Sequence, residues 1–324
     1  TGWADLESRR PLTRTNMFWM ASMTKYITSI AVEIAQDEGK LKIDDPVSNY
    51  IPSLAKCRVT EAADANGVSR LVPLVRPMTI RHCLGYTAGF GTLALPNCDR
   101  SSPDLHTFYT LASQVELAAA IPLVSQPGEK WRYSNTGFNV AARCVEIATG
   151  IEFSDYLRMK IFEPLGMVDT TFNPSAEQRS RLVQAYAHNR DKRELRKSEW
   201  FNIPKRFADG RPIPPEAGGG IYSTPADMAK FTQMIIAGGI YGGKRIVSEA
   251  GIEDTAKSGL GCEPRDGGIR WRKDGAYQTE YFFSKPHKRA LLWMPQVWNG
   301  SVGNVDWLDE ANQHVKVAVI DELF

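Results

Sequence analysis

From Ala21 to Asp37 the chain reads ASMTKYITSIAVEIAQD, and Ile27, Ile30, Ala31, Ile34 and Ala35 recur at helical spacing with Gly39 following as a stop. The spacing predicts a helix over this stretch, and its character decides how the rest of the chain is read. Ser22 falls in the first turn, where backbone N–H groups lack partners and the positive end of the helix dipole faces outward. Lys25 lies one turn further on and shares a face with Ser22. An ordinary helix lysine would be solvated. Met23, Tyr26 and Ile27 argue instead for a partly desolvated amine, whose charge lowers the cost of forming a serine alkoxide beside it.

Ser-x-x-Lys is a weak motif by itself, and it occurs twice: Ser53-Leu54-Ala55-Lys56 also matches. That second copy follows Pro52 and an Asp44-Asp45-Pro46 turn without helical periodicity, so it reads as surface loop. Only the copy at Ser22 meets the requirement for a serine at a helix N-terminus with the lysine one turn beyond.

Composition narrows the function classes. The chain has 324 residues, 39 basic against 37 acidic side chains and a net charge of +2, the balance of an ordinary soluble globular chain with no sequence-independent pull towards nucleic acid or anionic lipid. No apolar run approaches the ~20 residues of a membrane helix. The length points to two lobes of roughly 100 to 200 residues each. Cys57, Cys83, Cys98, Cys144 and Cys262 are scattered without a Cys-x-x-Cys pair, and His82, His106, His188, His287 and His314 form no ligand spacing, so neither a disulfide framework, a metal nor a cofactor is expected. The chain opens at Thr1 with neither an initiator Met nor a charged-then-apolar leader, so something preceding it is expected to have been removed. Compartment and oligomeric state are not legible.

Along the chain, helices are expected near Thr79 to Leu84 and from about Asn135 to Thr149. Arg181 to Pro215 is basic and turn-rich, with seven Lys or Arg against three acids between Arg190 and Arg206, and reads as a solvated loop. After Gly218-Gly219-Gly220, Thr224-Pro225-Ala226-Asp227 supplies an N-cap, a Pro at the first helical position and an acid, predicting a helix to Ile236 that stops at Gly238-Gly239. Ala276 to Phe283 and Ala290 to Met294 read as an antiparallel hairpin. An amphipathic stretch from Val305 to Leu323 is expected to cover one face of that sheet.

Two further constellations could carry chemistry. Tyr133-Ser134-Asn135 is the one Tyr-x-Asn of the sequence. It can place a phenol and an amide on one edge of a cleft, where a neighbouring cation lowers the tyrosine pKa towards useful base strength. The competing reading is a helix cap by Asn135 beside a buried Tyr133. A Lys-x-Gly occurs at Lys257-Ser258-Gly259 and at Lys273-Asp274-Gly275. The first leads into a turn, whereas the second runs towards the apolar stretch at Ala276 and is expected to line an edge strand whose N–H groups face a substrate oxygen.

Taken together in order and spacing, these motifs resemble the serine β-lactamase and penicillin-binding-protein superfamily, most nearly the class C β-lactamases and family VIII carboxylesterases. The resemblance extends through LKIDDPVSNYIP (41–52), TIRHCLGYTAGF (79–90), QPGEKWRYSNTG (126–137), GGGIYSTPADM (218–228) and DGAYQTEY (274–281). It implies an α/β (α+β) fold, an antiparallel sheet flanked by helices, with an inserted mainly helical lobe. On that basis residues 1–60 and 210–324 would form a discontinuous α/β domain and residues 61–209 a mainly helical one. Relatives usually carry a helix and a strand before the region matching Thr1 to Ser8, and the resemblance leads to the expectation that these elements are missing here, which bears on the sheet edge and its covering. The family often has Lys-Thr-Gly or His-x-Gly where Lys273-Asp274-Gly275 stands, so Asp274 puts a carboxylate where a hydroxyl or glycine is common.

The resemblance implies that Ser22 attacks a carbonyl, that Lys25 and Tyr133 share removal of its proton, and that Lys273 supplies positive potential near the tyrosine. Asn135 would hydrogen-bond the substrate, and the oxyanion would lie between the N–H groups of Ser22 and Ala276. Asp274 would weaken binding of anionic lactams. Phe18, Trp19, Trp131 and Tyr277 flank the motifs and suggest either an apolar acyl pocket or packing. The expected activity is hydrolysis of small or medium acyl esters through an acyl-enzyme, a small-molecule acyl substrate being the one partner implied. The alternatives are β-lactam or D-Ala-D-Ala peptide chemistry, acyl transfer, and a silent ligand-binding relative.

Overall fold

The helix that dominates the sequence is also the centre of the fold. In the computed structural model, which describes residues 2–61, 69–91, 110–189, 194–198 and 214–298, a 3-10 turn at Ala21–Met23 leads into α1 (Thr24–Asp37). Every residue of α1 from Thr24 to Ala35 is buried. A helix buried all round must satisfy its polar side chains internally. Thr28 Oγ1 donates to the Ala217 carbonyl at 2.8 Å, Ser29 Oγ to the Lys25 carbonyl at 3.1 Å, and Thr24 Oγ1 accepts from the Ile221 N–H at 3.2 Å. The helix ends where expected, with Gly39 at φ +68° donating to the Gln36 carbonyl and Lys40 N–H to the Ala35 carbonyl.

The other helices that frame α1 are α2 (Ile80–Leu84), α3 (Leu111–Ala119), α4 (Thr136–Thr149), α5 (Pro225–Ile236) and α6 (Glu249–Ser258). Thr79, Thr110, Thr224 and Ser248 cap α2, α3, α5 and α6 through their hydroxyls, the sequence signal that made α5 predictable. Helix α4 packs on α1, α2 and α3, and α6 packs on α1.

The strands around the site and its supports are, in chain order, β1 (Phe18–Trp19), β2 (Tyr186–Asn189), β3 (Glu194–Lys197), β4 (Tyr222–Ser223), β5 (Glu263–Arg265), β6 (Arg270–Asp274), β7 (Glu280–Ser284), β8 (Arg289–Trp293) and β9 (Val297–Trp298). Strands β5 to β8 form an antiparallel sheet in sequence order, with Lys273 opposite Tyr281 and Asp274 opposite Glu280. Helix α5 covers β7 and β8, and α6 lies against β5. Helices and antiparallel sheet therefore make the α/β architecture expected.

Four local expectations need correction. The segment from Arg181 is not all loop, because β2 and β3 pair antiparallel and β9 joins β2 in parallel. Charge hid the hairpin: Glu194, Arg196 and Lys197 are exposed, as polar residues of an edge strand can be. The apolar stretch at Ala276 does not begin a strand. Gly275 N–H donates to the Thr279 carbonyl and Gln278 N–H to the Gly275 carbonyl, closing a turn in which Gln278 sits at φ +64°, and β7 starts only at Glu280. Strand β6 is internal rather than an edge, lying between β5 and β7, although β5 pairs no further than Arg272 and leaves Lys273 and Asp274 overhanging. Ser53 lies in a 3-10 helix, Pro52–Lys56, not a loop; Lys56 is nevertheless exposed, so this Ser-x-x-Lys gathers no site. The stretch Val305 to Leu323 lies outside the described residues, as do Cys98, His106 and His314.

Candidate active site

Ser22 is the one half-exposed residue in an otherwise buried run from Ala21 to Ala35. Ala21 before it adopts a left-handed conformation, φ +46°, which costs a non-glycine residue about 1 kcal/mol and is held by the packing on both sides. Lys25 is fully buried, and its Nζ lies within hydrogen-bond distance of three oxygens: Ser22 Oγ at 3.1 Å, Asn135 Oδ1 at 2.6 Å and the Gly218 carbonyl at 2.5 Å. The Tyr133 hydroxyl and Ser22 Oγ share a hydrogen bond of 2.5 Å. Lys25 Nζ also lies 4.7 Å and Lys273 Nζ 5.5 Å from the centre of the Tyr133 ring.

These groups come from four distant places in the chain, and each is fixed by local chemistry. Tyr133 stacks on Tyr86 at 5.2 Å and 18°, while Arg132 N–H donates to the Tyr86 carbonyl at 2.7 Å. Asn135 precedes α4 but makes no side-chain cap; its amide turns to Lys25 instead, and Tyr133 is 38% exposed. The capping interpretation of Tyr-x-Asn therefore fails at Asn135. The Glu216–Gly220 turn lies along α1: a Cβ on Gly218 would come within 2.9 Å of the Asn135 Cβ, so only glycine lets its carbonyl reach Lys25 past that side chain. Gly275 has the same reason on the opposite side. A Cβ there would stand 2.5 Å from the Met20 carbonyl and 3.2 Å from the Ala21 Cβ, so the turn carrying Ala276 can touch the start of the Ser22 turn.

Electrostatics follow from burial. Loss of solvent, then the charge of Lys273, push the Lys25 ammonium well below the ordinary lysine range, with Glu216 and Asp274 opposing. Burial also pushes the Tyr133 phenol above the ordinary tyrosine range, although Lys273 and the Ser22 hydrogen bond pull the other way. This corrects the expectation that neighbouring cations hold the phenol partly ionised; desolvation outweighs them. Burial disfavours the charge of Lys273 too, but Asp274 and Tyr133 overcome it and hold the ammonium above its usual range. Asp274 Oδ1 sits 3.2 Å from Lys273 Nζ, and against the cost of burial Lys273 keeps that carboxyl below its usual range.

Of the residues singled out in the sequence, Ser22, Lys25, Tyr133 and Asn135 are bonded together, and Lys273 with Asp274 borders them. Ala276 lies in the adjoining turn. Tyr277 does not offer a binding face: it is fully buried, its ring edge-on to Trp19 at 5.4 Å and its hydroxyl 2.7 Å from Ser198 Oγ. Phe18 and Trp19 are likewise core, and Trp19 Nε1 donates to the Gly219 carbonyl at 2.6 Å. Trp131 alone of these aromatics is open, 66% exposed and packed on Tyr86 at 5.4 Å. Sequence reasoning missed the Gly218 carbonyl, Glu216 and Tyr86. The triple glycine signalled a close approach, but not to which helix.

Comparison with known proteins agrees with this geometry. The family model described as Beta-lactamase matches residues 1–300. The chain belongs to the β-lactamase family. Esterase EstB of Burkholderia gladioli is 30% identical over 287 residues, 82% of this chain and 68% of that protein. A putative D-alanyl-D-alanine carboxypeptidase of Salmonella heidelberg is 25% identical over 95% of this chain and 69% of its own length. The family thus lies in the serine-hydrolase superfamily of esterases, β-lactamases and peptidases. An uncharacterized Mycobacterium tuberculosis protein is 29% identical over 260 residues, and the chain spans 61% of that relative's length. Among solved structures, simvastatin synthase (LovD) from Aspergillus terreus superposes with a TM-score of 0.72 at 21% identity, covering 92% of this chain and 85% of that one. The same fold appears in EstCE1, a hydrolase with promiscuous acyltransferase activity, at TM-score 0.69 and 22% identity over 92% of this chain and 84% of that one. Among the described residues no helix is long and apolar enough to cross a membrane.

Proposed function

We propose that the protein is a serine carboxylesterase that acts on small to medium acyl esters through an acyl-enzyme at Ser22. The observation that carries this reading is the hydrogen-bond set of Lys25. A neutral amine has two N–H donors and one lone pair. Donation to Asn135 Oδ1 and to the Gly218 carbonyl uses both hydrogens, leaving the lone pair for the Ser22 hydroxyl. Burial favours that neutral form.

Ser22 Oγ attacks the ester carbonyl as its proton passes to Lys25 Nζ. The oxyanion is received by the N–H groups of Ser22, in the first turn of the helix, and of Ala276 in the turn held against it. Collapse breaks the bond to the alcohol, whose oxygen takes a proton from the Tyr133 hydroxyl as Lys25 returns its own to Tyr133. A water then attacks the acyl-enzyme, giving its proton to the Tyr133 and Lys25 pair, and Ser22 leaves as the hydroxyl. Lys273 keeps its charge throughout and favours negative charge on the way to the transition state, while Asn135 offers its remaining N–H to the acyl group.

Esters are favoured over β-lactams because Asp274 already neutralises the buried cation that an anionic lactam would need. The similarity to an esterase at 30% identity points the same way. A rate screen with p-nitrophenyl esters of graded acyl length, a chromogenic cephalosporin and a D-Ala-D-Ala peptide tests the reading. Ester turnover should dominate. A higher kcat/KM for the cephalosporin than for any ester would make the protein a class C-type β-lactamase instead.

A further inference from the structure

Glu216 stands on the far side of Asn135 from the nucleophile, and no step of the reaction above uses it. Its Oε1 accepts from Asn135 Nδ2 at 3.4 Å, while Asn135 Oδ1 accepts from Lys25 Nζ. Carboxylate, amide and amine therefore form one chain with a single direction. Flipping the amide would set N–H against N–H at Lys25 and oxygen against oxygen at Glu216, so two unfavourable contacts oppose it at once. The backbone reinforces the arrangement. The Glu216 carbonyl accepts from Gly219 N–H at 3.0 Å and Gly220 N–H at 2.7 Å, anchoring the turn whose Gly218 carbonyl binds Lys25 directly. One turn thus grips the amine through two routes, a carbonyl and a carboxylate relayed by an amide.

Resting on the esterase reading, we propose that Glu216 is a positioning residue, which orients the Asn135 amide and sets the charge balance at Lys25. Four charged or titratable groups face Lys25: Glu216 and Asp274 favour its ammonium, Lys273 opposes it, and Tyr133 shares the serine with it. Of the two acids, Asp274 is already committed to Lys273. Glu216 is therefore the anion free to counter the repulsion from Lys273, and it raises the pH at which the amine becomes a base.

The sign is defined. Taking away an anion near an ammonium destabilises the protonated form, so Glu216→Gln should move the acid limb of kcat/KM to lower pH by about one unit while KM changes little. Glutamine can still accept from Asn135, so kcat on the plateau should hold within a few-fold. Glu216→Ala should shift the limb equally and also lower plateau kcat by about tenfold, because the amide is no longer held. A second readout does not depend on turnover: the Lys25 resonance in protein carrying lysine labelled with carbon-13 at Cε, assigned by its loss in Lys25→Arg and titrated in the wild type and both variants. A lower Lys25 titration midpoint in both variants supports the proposal whatever the substrate proves to be. An unmoved or raised midpoint overturns it, even if activity falls. A lowered midpoint with an unmoved kcat/KM limb would keep the role of Glu216 and sink Lys25 as the base.

Discussion

At the scale of single residues, the proposed mechanism divides the proton work unequally between Lys25 and Tyr133. Burial drives the lysine towards its neutral form and the tyrosine towards its protonated form, which favours amine plus phenol over ammonium plus phenolate. Tyr133 then acts as a relay whose hydroxyl must be present. Tyr133→Phe should lower kcat by roughly 10² to 10⁴, the range of general acid–base catalysis, with melting temperature little changed. Retention of more than about a tenth of the activity would reduce Tyr133 to packing. Lys273 lowers both proton affinities by its charge, so Lys273→Ala should move the acid limb of kcat/KM to higher pH, opposite in sign to the loss of Glu216. An unmoved limb in Lys273→Ala would show that Lys273 acts only on binding. Asp274→Thr frees the buried ammonium while keeping a hydrogen-bonding side chain. It should raise kcat/KM for penicillins relative to esters, and an unchanged ratio in a two-substrate assay would remove Asp274 as the source of selectivity.

Elements show which parts of this were legible. Helix α1, its stop at Gly39 and the capped start of α5 were readable because periodicity and capping are local signals, carried within a turn or two of chain. The choice between the two Ser-x-x-Lys copies rested on the same kind of local signal, since Ser53 follows Pro52 without the helical periodicity that runs on from Lys25. The β2–β3 hairpin was not, because charged edge strands mimic loops in composition. Nor was the burial of Tyr277, which depends on a turn from Gly275 to Thr279 meeting Trp19 from a remote part of the chain. The Gly218 carbonyl was hidden most completely: a backbone acceptor has no residue signature, only the glycine that lets it approach. Gly218→Ala tests that reading at the level of the turn. The added methyl would press on the Asn135 side chain, so acylation of Ser22 by a fluorophosphonate, followed by intact mass, should slow by about tenfold or more while near-UV circular dichroism stays native. An unchanged labelling rate would mean that the turn yields and does not hold Lys25. Peptide mapping in the same experiment should find the adduct on Ser22 and not on Ser53.

The whole molecule carries one further acid whose protonation is linked to folding. Glu33 is fully buried on α1, with Gln36 Nε2 donating to its Oε2 at 2.9 Å and, among the described residues, no partner for its Oε1. Burial first, then Asp254 of α6 and Asp37 of α1, push its carboxyl from 4.5 up to about 8. Arg81 of α2 opposes this weakly, since it is engaged with Asp44 and Asp254 at 2.7 and 2.9 Å. A carboxyl whose folded pKa is raised binds its proton more tightly in the native state than in the unfolded chain. Its contribution is therefore complete below about 4.5 and is lost as pH rises through about 8. The full loss is on the order of 5 kcal/mol, a large share of the stability of a typical domain. Glu33→Gln preserves shape and an acceptor while removing the proton equilibrium. Denaturant unfolding at pH 5, 7 and 9 should show the wild type losing stability relative to the variant with each step upward, with the two nearly equal at pH 5. Because Glu33 lies on the helix headed by Ser22 and Lys25, alkaline loss of activity in the wild type should follow this unfolding and be deferred in the variant. Equal pH slopes in the two proteins would mean that water or a local opening solvates Glu33, and that the helix beneath the nucleophile titrates without consequence for the fold.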